Sequence, residues 1–381
     1  MTSTFSFGFS GDDIDINIDE TEANNVNETG VQANGTASTL PELVEAQRHE
    51  MSEWLSTLPS QISYNKCIIH PFQGEGASTE TGPITIARRD VFDIRAQLMV
   101  EDSAEEQTSD LIAGLEKGDI TPNFYEGGFK TWECSIDLAG LVAGEGVGFE
   151  DRHIIELGSG TAVPSLALFA QLLSQTDIAS TVASAENKKK RTHFTFADYN
   201  SAVLRLVTLP NLILTWNNFV THRKPNTTSD ADADAEDNTA EQEAELDITP
   251  ELLEGFQSDL AARGITIDFI SGSWSPSFVE LAFSSPELAG YKTLILASET
   301  IYSPTSLVAF SETLLALLRR SSVESRALIA AKKMYFGVGG GVDEFLAVLR
   351  VVGEGDLGVE ERMDVKSVGV GRIILEIRSS K

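Results

Sequence analysis

Glu156, Gly158 and Gly160 stand at alternate positions in HIIELGSGTAVP, residues 153–164, and this is the densest chemical signal in the chain. Ile154 and Ile155 ahead of them read as a buried strand, and two glycines in three residues permit a turn tight enough for a ligand to approach the main chain. Pro164 suits the first turn of a helix carrying Leu166, Ala167, Leu168 and Ala170, so the ligand would lie outside the carboxyl end of a strand and near a helix N-terminus. A G-x-G-x-x-G dinucleotide turn wants glycine where the chain has Val163, which weakens a nicotinamide reading. Asp198 ends a second strand-like run, FTFADYN, where a carboxylate can accept two hydrogen bonds from a ribose diol or cap a helix through Tyr199 and Asn200. A third run, DFISGSW, delivers Ser273 and Trp274, whose aromatic face suits either a nucleobase or the core. A fourth, LILASETIY, brings Ser298, Glu299 and Tyr302 to the point where a substrate would meet the ligand. Gly127 and Gly128 in NFYEGGFKTWECSIDL form a hinge before Trp132 and Glu133, and AAKKMYFGVGGGVDEF ends a fifth run in a glycine stretch that shapes the mouth.

Positioning these residues requires a particular order of elements. Strand candidates at 153–157, 193–197, 267–271, 293–298 and 327–331 alternate with amphipathic helices at 165–174, 202–214, 306–319 and 342–352. Such alternation predicts an α/β fold, a parallel sheet covered by helices on both faces. Residues 359–366 and 371–378 follow as consecutive strands and predict an antiparallel hairpin on one edge. Residues 40–58 read as an amphipathic helix begun by Thr39 and Pro41 and stopped near Pro59, and 84–91 and 92–99 read as strand-like. The expected organisation is a largely disordered region 1–60 containing that helix, an extension 61–122 packing on the core, and a main domain 123–381 with an acidic insertion at 226–247.

The charge is uneven. Against 28 Lys and Arg the chain has 58 Asp and Glu, a formal net charge of -30, with 11 of the carboxylates in residues 1–53 and 9 in 226–247. An acidic surface disfavours nucleic acid as a direct ligand and favours a basic protein partner, although acidic tails also serve as passive solubilising segments. Cys67 and Cys134 are too few for a disulfide framework, and no Cys/His spacing suits zinc. The five histidines, His49, His70, His153, His193 and His222, are scattered and form no catalytic pattern. With no signal-like N-terminus and no membrane-length apolar run, the expectation is a soluble intracellular monomer without a membrane partner. The run 188–191, KKKR, reads either as a nuclear import signal or as a solvated loop, and FSFGF at 5–9 as a docking segment or an unstructured terminus.

The E-x-G-x-G spacing resembles motif I of S-adenosylmethionine-dependent methyltransferases of the seven-strand, Rossmann-like type, and YEGGFKTWEC, ELGSGTAVP, ADYN, SETIY and KKMYFGVGGG, in that order along the chain, resemble the protein-histidine N-methyltransferases that modify a large-subunit ribosomal protein. The YEGG-x-K-x-WEC and YFGVGGG blocks carry the specificity of that resemblance; E-x-x-Y from Glu299 to Tyr302 departs from the D-x-x-Y of a related branch. The resemblance implies S-adenosylmethionine as cofactor, with Glu156 organising its loop and Gly158 and Gly160 passing beneath its methionine end; Asp198 then meets its ribose, Trp274 its adenine, and Ser298 contacts it where the substrate arrives. Trp132 would face the sulfonium through a cation-π contact or close the site as a lid. It further implies methyl transfer to the tele nitrogen of a histidine in a ribosomal protein, with Glu299 or Tyr302 holding the imidazole, no metal, and action in cytoplasm and nucleus. A protein-lysine methyltransferase and a non-catalytic cofactor-binding assembly factor are the competing readings.

Overall fold

The computed structural model describes residues 44–72, 82–101, 127–176, 191–223, 244–321, 323–335, 340–353, 357–366 and 369–379. Expectations for 5–9, 11–38, 188–190, most of the acidic stretch 226–247 and the glycine run 336–339 lie outside these residues. In chain order come β1 (Gln47–His49), α1 (Met51–Leu55), β2 (Gln61–Ile69), β3 (Ile84–Arg89), α2 (Val91–Glu101), α3 (Glu133–Glu145), β4 (Arg152–Leu157), α4 (Val163–Gln175) and β5 (Thr192–Asp198). Next, α5 (Ser201–Val203) runs through a π-helical turn (Leu204–Thr208) into α6 (Leu209–Arg223), followed by β6 (Ala244–Asp247), α7 (Pro250–Arg263), β7 (Ile265–Ser271) and α8 (Pro276–Ala282). The last elements are β8 (Lys292–Ser298), α9 (Leu307–Arg320), β9 (Ser325–Lys332), α10 (Val342–Val352), β10 (Leu357–Val365) and β11 (Arg372–Ser379).

The main sheet has eight strands in the order β1-β7-β5-β4-β8-β9-β11-β10. β7, β5, β4, β8 and β9 are mutually parallel, and β11 and β10 form the expected antiparallel hairpin at one edge. Alternation along the buried strands divides the core. Ile154, Phe194, Phe196, Leu294, Leu296 and Leu328 pack on one face with α3, α4, α6 and α7, while Ile155, Ala197, Ile295, Ala297 and Ile329 pack on the other with α8, α9 and α10. Chain order reverses about β4, with β5 on one side and β8 on the other, so the carboxyl ends of these three strands open a crevice at the switch point.

Two expectations fail in the N-terminal third, and the end of the insertion is a strand. Instead of a helix over 40–58, residues 47–49 form β1, an eighth strand pairing antiparallel with β7, and only Met51–Leu55 is helical. Long-range pairing wins here, because Arg48 meets Asp268 at 2.9 Å and His49 Nε2 meets Ser271 Oγ at 2.7 Å. Residues 92–99 lie in helix α2 rather than a strand: Ile94 and Leu98, four apart, are buried while Phe92 and Val100 face outward. Asp90 Oδ1 accepts from Phe92 N at 2.7 Å at its start. The end of the acidic stretch, Ala244–Asp247, is a strand of a separate three-stranded sheet, order β3-β2-β6, where Leu246 opposes Ile62.

His153, fully buried in β4 and bonded through Nε2 to Thr195 Oγ1 at 2.9 Å, has its pKa held well below the usual histidine value, first by burial and then by neighbouring His193. The folded state therefore binds fewer protons than the unfolded chain, and stability falls as pH drops below the unfolded value of about 6.5. Urea midpoints should decline from pH 7 to pH 5, with a smaller decline in His153→Phe; equal slopes would assign the acid sensitivity elsewhere.

Candidate active site

The loop after β4 is built by left-handed backbone. Gly158 (φ 62°) and Gly160 (φ 50°) take conformations that disfavour side chains, and Ala162 (φ 58°) does so despite having one. Space is equally restrictive. A Cβ on Gly158 would lie 2.7 Å from Thr300 Cγ2, and one on Gly160 would lie 3.2 Å from the Cα and carbonyl oxygen of Gly128. Gly128 itself has φ 118° and would meet Val203 Cγ1 at 2.9 Å. The double glycine thus lets the segment before α3 press on the loop, backbone to backbone.

Glu156, the last residue but one of β4, is 1% exposed, and its Oε2 accepts from Ser165 N at 3.0 Å, tying the strand to the first turn of α4. Burial pushes its carboxyl up to about 8, against the Ser165 hydrogen bonds and with the Asp198 charge. Asp198 closes the other side: Oδ2 accepts from Gly160 N and Oδ1 from Asn200 N, each at 3.1 Å. Its carboxylate therefore fixes the glycine turn and the entry to α5 together.

Ser298 ends β8 opposite Ala330 of β9, and Glu299 follows with φ 56°, a left-handed glutamate whose N donates to Ala330 O at 2.9 Å. Such a conformation costs roughly 1–2 kcal/mol in a side-chain-bearing residue and recurs where function demands it. The Glu299 side chain is 10% exposed and stands 3.8 Å from Lys332 Nζ at the end of β9. Cys134 and Tyr335 also lie against its carboxylate; burial first, and then that negative charge, push both the thiol and the phenol upward, so both stay protonated. The Tyr302 ring lies 6.3 Å from that of Tyr335, and the Gly340 backbone abuts the Tyr302 carbonyl closely enough to exclude a Cβ.

Trp132, half-buried at the N-cap of α3, has Lys332 Nζ 5.2 Å from its ring centroid, a cation-π contact within the protein. Trp274 packs edge-on against Phe278 and Phe310 at 5.3 and 5.9 Å. Ser273 is not free for a base edge, because its N and Oγ both donate to Val44 O, at 2.9 and 2.8 Å. The segment leading into β1 thus covers the end of β7.

Among the buried polar atoms without hydrogen-bond partners, Glu156 Oε1, Ser159 Oγ, Asn200 Nδ2, Glu299 Oε1 and Thr300 Oγ1 lie at this edge. Leaving such groups unpaired costs about 1–3 kcal/mol each, and a bound polar molecule relieves the cost. S-adenosylmethionine fits this donor and acceptor set. The glycine turn leaves main chain bare, Asp198 supplies a carboxylate and Glu156 a buried carboxyl with one oxygen still unpaired, and Glu299 stands across the switch point. Among the described residues no three His, Cys, Asp or Glu are grouped to hold a metal ion, and no helix is long and apolar enough to cross a membrane.

Sequence reasoning brought Glu156, Gly158, Gly160, Asp198, Ser298 and Glu299 to this edge but assigned no role to Lys332, Tyr335, Cys134 or Thr300. Lys332 and Tyr335 stand in KKMYFGVGGG and Cys134 in the WEC block, so the signal was adjacent to residues already singled out.

No protein-family model matches the chain. Histidine protein methyltransferase 1 of Saccharomyces cerevisiae is 36% identical over 305 residues, 78% of this chain and 77% of that protein. The Schizosaccharomyces pombe protein of the same name is 33% identical over 90% of this chain and 83% of its own length. A Bos taurus homologue is 29% identical over 71% of this chain and 57% of its own length. A solved structure, the N-terminal domain of EvdMO1 with SAH bound, overlays too loosely to argue from, at TM-score 0.31 and 12% identity over 76% of this chain and 97% of that one. The methyltransferase family uses S-adenosylmethionine. Matched at 36% and 33% identity across more than three quarters of each yeast relative, the chain belongs to the histidine protein methyltransferase family.

Proposed function

We propose that this protein methylates the tele nitrogen of one histidine in a large-subunit ribosomal protein. Family membership supports histidine as the acceptor, and the net charge of -30 suits a basic client. The observation that carries the reading is Glu299 Oε1, buried and without a hydrogen bond although Lys332 Nζ stands 3.8 Å away, held by a left-handed backbone at the carboxyl end of β8. S-adenosylmethionine, when bound, supplies an electrophilic methyl group on a positively charged sulfur. Glu156, Gly158, Gly160 and Asp198 would bind it.

Glu299 would accept the Nδ1–H of the substrate imidazole, which selects the tautomer with its lone pair on Nε2 and so directs methylation to the tele position. No strong base is needed, because imidazole with a reference pKa of about 6.5 is already largely neutral at cellular pH. Alignment is the main task, and it can supply roughly 7–11 kcal/mol of the barrier. After transfer, the Nδ1 proton leaves to Glu299 or to water, and the product is neutral again.

The test is incubation with labelled S-adenosylmethionine and large ribosomal subunits from cells lacking this protein, followed by acid hydrolysis and amino-acid analysis. Label in tele-methylhistidine is expected. Methyl-lysine or the pros isomer would reject the assignment, and tight cofactor binding without any label would favour a non-catalytic assembly factor. Tyr302→Phe should lower turnover by about tenfold, the worth of one hydrogen bond, with cofactor affinity unchanged in calorimetry. Equal losses in both would remove Tyr302 from the substrate side.

A further inference from the structure

We propose that Lys332 is a positioning residue for histidine methylation, its ammonium balancing the Glu299 carboxylate so that the target imidazole is held in the neutral form that carries a lone pair. This deepens the proposed function and rests on the reading that Glu299 receives the imidazole N–H.

A carboxylate beside an imidazole has two opposed effects. It orients the ring through the N–H, which favours attack. It also stabilises the imidazolium, whose nitrogens have no lone pair and cannot accept a methyl group. An opposite charge within about 4–6 Å moves a pKa by 1–3 units, so Glu299 unopposed would hold a large share of bound substrate in the unreactive form at cellular pH.

The charges around Lys332 can be read element by element. From the turn after β8, Glu299 lies 3.8 Å from Nζ with its side chain 10% exposed. From α3, Glu133 lies closer to Nζ, at 3.3 Å, and shares the ammonium, although its side chain is 59% exposed and so more screened than Glu299; the Trp132 ring lies 5.2 Å away. Cys134 and Tyr335 border Glu299 as neutral groups, their ionisation opposed by burial and by that carboxylate. Arg372 of β11 is matched by Asp137 of α3. Among the described residues, Lys332 is therefore the cation paired with Glu299 in this corner, and the Tyr335 hydroxyl, which accepts from Lys332 N at 3.2 Å, ties the end of β9 to the same carboxylate. Electrostatic balance, rather than contact with the reacting atoms, is the role this geometry gives to Lys332.

The experiment is the pH dependence of single-turnover methylation, from pH 5 to 9, with enzyme and S-adenosylmethionine in excess over ribosomal proteins stripped from large subunits of cells lacking this protein. For Lys332→Met the acidic limb should move upward by about one to two pH units, a loss of roughly tenfold or more near pH 6 that shrinks toward pH 9. Lys332→Arg should restore the parental midpoint. A uniform loss at every pH would mark a structural role only, and an unmoved profile would likewise overturn the proposal. Should the parent place no label on histidine, the function itself fails and the role of Lys332 falls with it, an outcome distinct from a parent that labels histidine and a variant whose midpoint stays in place.

Discussion

Gly160→Arg combined with Asp198→Ala is expected to abolish measurable binding of S-adenosylmethionine by calorimetry while leaving a folded protein. Asp198 accepts from Gly160 N and Asn200 N, so its removal leaves two backbone donors unpaired and frees the turn that presents the loop. It also removes the carboxylate proposed to meet the ribose, whose charge-assisted hydrogen bonds are worth roughly 1.5–3 kcal/mol each. Two such bonds correspond to a loss of about 10²–10⁴ in affinity. The arginine adds a second effect, because φ 50° disfavours any side chain and Gly128 lies within 3.2 Å of the position its Cβ would take. Retention of parental affinity would dissociate the nucleoside from this loop. Asp198→Asn is the informative single change: it keeps one acceptor oxygen and should lose less than Asp198→Ala.

Glu299→Ala should reduce turnover by about 10²-fold or more, the loss expected when a reacting group is no longer held in line, with cofactor affinity changed only a few-fold. The side chain removed is the buried acceptor at the carboxyl end of β8, whereas the cofactor contacts proposed for Glu156 and Asp198 lie on β4 and β5. Alanine at φ 56° remains strained and Lys332 loses a partner, so thermal unfolding of the variant separates lost chemistry from lost structure. A turnover within a few-fold of the parent would remove Glu299 from the reaction and shift the imidazole-holding role to Tyr302.

Legibility in the sequence follows the range of the interactions. The parallel strands were readable because Ile154–Ile155, Phe194–Phe196 and Leu294–Leu296 are apolar runs buried on both faces, a pattern contained within each segment. β1 was not readable: its three residues are strand only because Arg48 and His49 find Asp268 and Ser271 more than two hundred residues away. Helix α2 was obscured by Phe92, Met99 and Val100, exposed apolar residues that blur its buried Ile94–Leu98 pair.

The site divides in the same way. Glu156, Gly158, Gly160 and Asp198 declare themselves locally, since alternating glycines and a strand-terminal carboxylate each have a meaning within a few residues. The other half of the pocket comes from distant chain. Gly128 against Gly160, and Cys134, Lys332 and Tyr335 around Glu299, meet only through the order of the sheet and the packing of α3 beside β9. The covering of β7 by Val44, which takes Ser273 out of reach of a base, is equally nonlocal.

The central claim concerns where the nucleoside sits, and a crystal structure of the full chain soaked with S-adenosylhomocysteine tests it most directly. The expected density lies over Gly158 and Gly160, with the ribose hydroxyls on Asp198 and the sulfur directed toward Glu299. Density at another edge of the sheet, such as the cleft lined by Arg152, Arg263 and Lys292 at the amino ends of β4 and β8, would contradict it.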